Sequence, residues 1–252
     1  GVEIPCYAGG LELSDLALAY PGMAGPLFER LSLRLPPGGA LAVIGGNGSG
    51  KTTLARLLCA LVEPARGQIL VDGTDLRQIS PLGWRRQISY LPQEPVFLEA
   101  SIAENLRILH PDLPDERLRE IIVQADLGEW LDRTAQGLNA PLPDGGRSLS
   151  LGVRKRLAMA RALATEGRLA LFDEPTDALD DAGRHAVYNV LNGLRKAGVT
   201  LVVMTHDPYI LRGMDWVLDL RIKPVPGVYP VVRQGDGPAI GGTSRYTIVP
   251  SS

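Results

Sequence analysis

Cysteine is scarce: the 252 residues hold only Cys6 and Cys59, far apart and in no zinc or redox spacing. That argues against a disulfide framework and leaves reduced thiols on the cytosolic side as the simpler reading. Cys59, inside an apolar run, reads as a small core residue. An excess of one charge is also lacking. Lys plus Arg number 26 and Asp plus Glu 28, a formal net charge of -2, so the whole-chain balance calls for no polyanionic partner. No run approaches the ~20 consecutive apolar residues that cross a bilayer, and no signal-peptide pattern opens the chain. This stretch is not expected to span a membrane by itself. Because it opens on Gly1 without Met, it is expected to be part of a longer polypeptide. Internal repeats are absent, and the length points to one main domain with room for a subdomain.

What is present changes character along the chain. "LELSDLAL" (11–18) and "LFERLSLRL" (27–35) alternate like strands around the Pro/Gly-rich "YPGMAGP", which predicts an antiparallel hairpin or meander. "ALAVIGG" (40–46) then runs into a Gly-rich turn and a helix, and "GQILVDG" (67–73) and "QISYLPQ" (87–93) read as short strands. From Ser101 to about Thr165 the spacing turns helical, with "SIAENLRIL", "DERLREIIVQADLGEWL" and "SLSLGVRKRLAMARAL" each opened by a capping residue. "RLALFDEP" (168–175) and "GVTLVVMTHD" (198–207) are buried-strand candidates separated by a helix over 180–196, with "WVLDL" (216–220) beyond. Continuous apolar strands alternating with helices predict a parallel sheet covered on both faces. The predicted division is therefore 10–95 with 165–222 as the core, 96–164 as a helical subdomain, and 223–252 as an irregular Pro/Gly-rich tail.

Gly45-Gly46-Asn47-Gly48-Ser49-Gly50-Lys51-Thr52 fits G-x-x-x-x-G-K-[ST] and sits between an apolar strand and a helix, the context that pattern requires. Glycines let successive N–H groups point inward at phosphates, and the helix adds its positive N-terminal end. Lys51 is expected to bridge the β- and γ-phosphates and the Thr52 hydroxyl to bind Mg²⁺. Farther on, "LALFDEP" ends a strand in two carboxylates: Asp173 to hold the metal through water, and Glu174, on the other side, to polarise an attacking water. Alone, that pair reads as readily as a solvated strand end. Gln93, His206 and Tyr20 are weaker still taken singly: a polar loop residue, a strand-end histidine and a turn aromatic able to stack on a purine.

Together these residues resemble the nucleotide-binding domain of ATP-binding cassette (ABC) proteins over about residues 10–222. By motif, Tyr20 matches the aromatic A-loop, Gly45 to Thr53 Walker A, Gln93 the Q-loop, Leu169 to Glu174 Walker B, Asp180 in "TDALD" the D-loop and His206 the switch histidine. The resemblance implies an α/β fold: a P-loop NTPase (RecA-like) core with an N-terminal antiparallel β subdomain and an inserted α-helical subdomain. "PLGWRRQISYLPQEPVFLEASIAENL" looks like the exporter branch, and "DGGRSLSLG" is similar to the approach to the signature in type I secretion and peptide-exporting transporters.

The family signature Leu-Ser-Gly-Gly-Gln matches Leu149, Ser150, Leu151, Gly152 and Val153 here, so its first Gly is Leu and its Gln is Val. The resemblance implies that Ser150 and Gly152 meet the γ-phosphate held by an opposite subunit. Leu151 costs about 1 to 2 kcal/mol if its position needs positive φ, and nothing if it is the first helical residue after an N-capping Ser150. The implied working unit is a homodimer or paired cassette around two ATP molecules and Mg²⁺. In it Glu174 is general base, His206 positions the γ-phosphate and Gln93 links the site to the helical insertion. A transmembrane domain on the same or a separate chain is the implied partner, at the cytoplasmic face of a membrane. Two other classes are a soluble ABC ATPase acting on nucleic acid or ribosomes, and a catalytically weak cassette of a heterodimer. Against the first, the stretch between Thr53 and Ser150 holds no heptad segment and the chain holds one cassette. The basic residues Arg154, Lys155 and Arg156 then read as local positive potential and ordinary helix surface rather than a nucleic-acid face.

Overall fold

The structure, a computed structural model, describes residues 1–4, 6–19 and 22–231. In chain order its first part holds β1 (Leu11–Leu18), β2 (Phe28–Leu35), β3 (Ala40–Ile44), α1 (Lys51–Leu58), β4 (Arg66–Val71), β5 (Thr74–Asp75), α2 (Pro81–Arg85) and β6 (Ile88–Leu91). A helical stretch follows: α3 (Ile102–Leu106), α4 (Asp115–Gln124), α5 (Gly128–Arg133) and α6 (Leu151–Thr165). The last part is β7 (Leu169–Asp173), α7 (Asp181–Lys196), β8 (Thr200–Met204), α8 (Pro208–Gly213), β9 (Trp216–Asp219) and β10 (Gly227–Pro230). Two sheets result: an antiparallel one of order β2-β1-β4-β5, and a six-stranded one of order β10-β9-β3-β8-β7-β6. In the second, β9, β3, β8, β7 and β6 are parallel and β10 is the antiparallel edge.

Strands buried on both faces divide their side chains between two cores by the period of two. Ala40 and Ala42, Ala170 and Phe172, and Leu201 and Val203 face one core, which is shared with the helical stretch through Leu118, Ile121, Leu157 and Met159. Their alternates Leu41 and Val43, Leu169 and Leu171, and Val202 and Met204 face the other, which is closed by the antiparallel sheet and α1. Each fully buried Leu or Val contributes about 1.5–3 kcal/mol. This is why these strands read as unbroken apolar runs. Trp84, fully buried, donates from Nε1 to the Leu58 carbonyl 2.7 Å away at the end of α1 and takes the edge of Tyr7 at 5.2 Å between ring centroids.

Two expectations differ from the structure. "DERLREIIVQADLGEWL" is two helices, because Asp126 takes a left-handed backbone (φ 59). Asp is among the few residues that tolerate this conformation, and Arg156 of α6 fixes the break by donating to both the Asp126 carbonyl and its carboxylate. The segment read as an irregular tail is in part a strand: Gly227 to Pro230 pair with Asp219 to Trp216. Its prolines sit where an edge strand tolerates them, and the pairing is with β9 rather than with a sequence repeat of its own. Residues 232–252 lie outside the described residues.

Candidate nucleotide site

Parallel strands end on one side, so the loops that follow β3, β8, β7 and β6 gather at one edge. The loop from Gly45 to Gly50 leaves β3 and enters α1. Gly48 (φ 76) and Gly50 (φ 109) take backbone that a side chain would strain, and a Cβ on Gly45 would collide with Ser49 Oγ. Gly46, Asn47 and Gly48 are exposed at the loop crest. Gly50 caps α1 with no side chain accepting from the first turn, which leaves that turn's N–H groups directed outward at the positive end of the helix. An anion fits there. Lys223 braces the loop from behind: its Nζ donates to the Ser49 carbonyl at 2.8 Å and the Leu27 carbonyl at 2.6 Å.

Four predicted residues meet at this edge. Lys51 Nζ lies 2.5 Å from Glu174 Oε1 and 3.5 Å from His206 Nε2. His206 Nε2 lies 3.0 Å from the Gly45 carbonyl oxygen, a contact that needs the proton on Nε2, and 3.8 Å from Glu174 Oε1. The Lys51 and Glu174 side chains are 12 % and 15 % exposed, whereas His206 is 57 % exposed. Glu174 stands at φ 49, and its backbone is held on both sides of Cα: its N–H donates to the Met204 carbonyl at 2.8 Å and its carbonyl accepts from Lys155 Nζ at 3.1 Å.

Asp173 is buried, and its Oδ1 has no hydrogen-bond partner. Burial, and secondarily the Glu174 charge, push its carboxyl up to about 6, against the opposing pull of Lys51 and Lys155. An unpartnered buried carboxylate oxygen close to a P-loop suits a hard cation. The Thr52 hydroxyl, exposed at the first turn of α1, supplies the same oxygen chemistry. Among the described residues no group of three or more His, Cys, Asp and Glu could hold a metal alone, which fits Mg²⁺ shared with substrate phosphates rather than caged by protein. Thr53 is buried behind it. Gln93 is exposed two residues past β6; with Leu91 beside Phe172 in the sheet register, it leaves the same edge as Glu174.

The remaining predicted residues lie elsewhere. Asp180 caps α7, accepting from the Gly183 N–H at 2.8 Å. Ser150 caps α6, its Oγ accepting from the Val153 N–H at 3.3 Å. Leu151 is thus the first helical residue, in ordinary right-handed backbone and 41 % exposed, so the leucine carries no backbone cost. Val153 packs, half-buried, on the core. A Cβ on Gly152 would meet only Arg156 Nη2, at 3.8 Å. Among the described residues no contact leaves too little room for a Cβ there. Tyr20 lies outside the described residues.

The basic run of α6 differs from its reading as ordinary surface. Lys155 is buried, Arg156 is paired with Asp126, and Arg161 donates to the Val96 carbonyl and lies over the Phe97 ring. Lys155 shares its helix face with Ala158, Met159 and Ala162, all buried. That i, i+3, i+4, i+7 spacing is the signal that marks it as an inward-facing lysine. Lys223 carried no comparable signal.

The model of the ABC transporter family matches residues 28–177. Among curated proteins, the chain is 32 % identical over 222 residues to the mitochondrial potassium channel ATP-binding subunit of Xenopus tropicalis, covering 87 % of this chain and 32 % of that protein. It is 32 % identical over 221 residues to the colicin V secretion/processing ATP-binding protein of Escherichia coli, covering 87 % and 31 %. With the leukotoxin translocation ATP-binding protein of Mannheimia haemolytica it shares 30 % over 217 residues, covering 86 % and 30 %. The chain thus spans about a third or less of the length of these relatives. A solved bacterial Atm1-family ABC exporter with ATP bound superposes with a TM-score of 0.79 at 23 % identity, over 89 % of this chain and 40 % of that one, a likeness of fold.

Proposed function

Because the chain belongs to the ABC transporter family, we propose that it is the ATP-binding and hydrolysing module of an exporter, acting as two copies set head to tail around two ATP molecules at the cytoplasmic face of a membrane. The observation that carries this reading is the contrast at the two helix ends. Lys51, Glu174 and His206 lie within 4 Å of one another beside the P-loop, while at Gly152, at the start of α6, an added Cβ would meet nothing closer than Arg156 Nη2 at 3.8 Å.

The loop amides of Gly46 to Gly50 and the N-terminus of α1 cradle the phosphates, and Lys51 bridges the β- and γ-phosphoryl oxygens. Phosphate drawn to Lys51 competes with Glu174 for the same ammonium and frees the carboxylate to take the proton of a water aimed at the γ-phosphorus. His206 holds that water and the γ-phosphate in line, and Tyr20 stacks on the purine. Thr52, Asp173 and Gln93 would hold Mg²⁺, which when bound would neutralise charge on the phosphates. Ser150 and Gly152 of the second copy, with Asp180 at the seam, close over the γ-phosphate. Most of the rate then comes from electrostatic positioning. Hydrolysis removes the anion that joins the copies, and the pair opens.

Gln93 lies between Pro92 and Glu94, which line a groove of about 360 Å³ together with Tyr90, Leu106 and Ile108. Val96, Leu98 and Ile108 are exposed apolar side chains in this region. A transmembrane domain docked there receives closure of the pair through Gln93. The homology to secretion and translocation ATPases supports a protein or peptide as cargo. The alternative of a nucleic-acid partner is disfavoured, since Lys155, Arg156 and Arg161 of α6 are engaged within the chain.

The test is Mg·ATP hydrolysis per chain as protein concentration rises. A rate that climbs with concentration is expected; no hydrolysis, or a rate per chain independent of concentration, overturns the reading.

A further inference from the structure

Lys155 is 5 % exposed, on the inward face of α6 among buried apolar residues. Burying an ammonium there is costly unless it is paired and hydrogen-bonded. Its Nζ donates to the Glu174 carbonyl at 3.1 Å, and the negative charges of Asp177, Glu174 and Asp173 partly offset the cost of its burial. A leucine or methionine would fill the same space without desolvating a charge, so packing alone does not account for the lysine. What it adds is a grip on one peptide group. That group belongs to the residue whose side chain faces the P-loop lysine, and whose backbone stands at φ 49 with its N–H bonded to the Met204 carbonyl. The N–H lies in the peptide before the Glu174 Cα and the carbonyl in the peptide after it, so with the N–H fixed to β8 a pull on the carbonyl tilts the Cα between them and re-aims the carboxylate.

The N-terminus of the same helix, little more than a turn before Lys155, carries Ser150 and Gly152. Lys155 is five residues from Ser150, about 7.5 Å along the axis. One rigid segment therefore joins the γ-phosphate contact to the backbone of Glu174. We propose that Lys155 is a positioning residue that couples the two ATP sites of the pair: when α6 engages the nucleotide of the second copy, it moves through Lys155 the Glu174 of its own copy into place. This rests on the head-to-tail reading above.

Coupling of this kind sets kcat and cooperativity while leaving nucleotide affinity alone. Lys155→Met keeps the length and packing of the side chain and removes its N–H donors; Lys155→Arg keeps charge and donors. With the full chain and Mg·ATP, wild type is expected to show a Hill coefficient approaching about 2. Lys155→Met is expected to bring it to about 1 and to lower kcat about tenfold or more, with KM and the Kd for a fluorescent ATP analogue within about twofold. Lys155→Arg is expected to recover most of both losses. The melting temperature of Lys155→Met should not fall, since an apolar side chain replaces a buried charge. If that variant does not fold, Lys155→Leu carries the same expectations. A wild type that hydrolyses nothing overturns the functional reading. A cooperative wild type matched in kcat and Hill coefficient by Lys155→Met overturns the coupling alone, as does a loss that Lys155→Arg fails to recover.

Discussion

The N-termini of α1 and α6 are built from the same physics and finished differently. Both follow a short loop and present the positive end of a helix. At α1 the cap is Gly50, no side chain accepts from the first turn, and Lys51, Glu174 and His206 complete the surroundings from three loops of one chain. At α6 the cap is Ser150, which satisfies its own helix, and past it Gly152 meets nothing but one arginine nitrogen. A site whose strained glycines and paired charges are explained inside the chain is a whole binding surface. On the proposed reading Gly152, which makes no close contact of its own, is half of a surface that a second copy completes.

If that difference is real, damage at the two ends has different signatures. Lys51→Ala removes the bridging ammonium and should give the largest effect: ATP binding by the single chain weakened at least about 100-fold and hydrolysis about 1000-fold or more, measured by nucleotide titration and phosphate release. At Gly152 a Cβ meets no close contact among the described residues, so Gly152→Asp should be accommodated within the chain. It should leave the Kd for ATP of the single chain within about twofold while hydrolysis falls about 100-fold, because a carboxylate then faces the γ-phosphate of the second copy. Equal loss of binding in both variants would erase the comparison.

Asp173 sharpens the α1 side. Its carboxyl is raised from 3.8 to about 6, chiefly by burial. The folded chain therefore holds this proton more tightly than the unfolded chain, and the stability contributed at low pH is lost as pH rises through about 6. Asp173→Asn should flatten that part of the stability profile in urea titrations without Mg²⁺ and make the protein more stable above pH 6 by about 2 kcal/mol. The double change Leu151→Gly with Val153→Gln restores the family signature at α6 and should have the smallest effect. Hydrolysis should change by less than about threefold and stability fall by about 1 kcal/mol, through lost helix propensity and lost packing of Val153.

Most of the α1 end was legible in the sequence, because its chemistry depends on local pattern. A glycine-rich turn between an apolar strand and a helix has few other meanings, and β7 and β8, apolar throughout, announce strands buried on both faces. Caps at Ser101 and Ser150 were readable for the same reason. What escaped depends on contacts between distant segments. The break at Asp126 is held by Arg156, and the edge strand β10 and Lys223 acquire their roles only when they meet β9 and the P-loop. Lys155 read as surface because charge outweighed its position among Ala158, Met159 and Ala162. Whether Leu151 strains the signature was open in the sequence and settled by its helical backbone.

The central claim is that the α6 end is completed by a second copy of the chain. Light scattering after size exclusion of Glu174→Gln tests it most directly, since that variant should bind ATP without consuming it. With Mg·ATP it should run at twice the 27.0 kDa of one chain, and the added change Gly152→Asp should return it to a single chain. A Glu174→Gln protein that binds ATP tightly yet stays at the mass of one chain across the accessible concentration range would contradict the account.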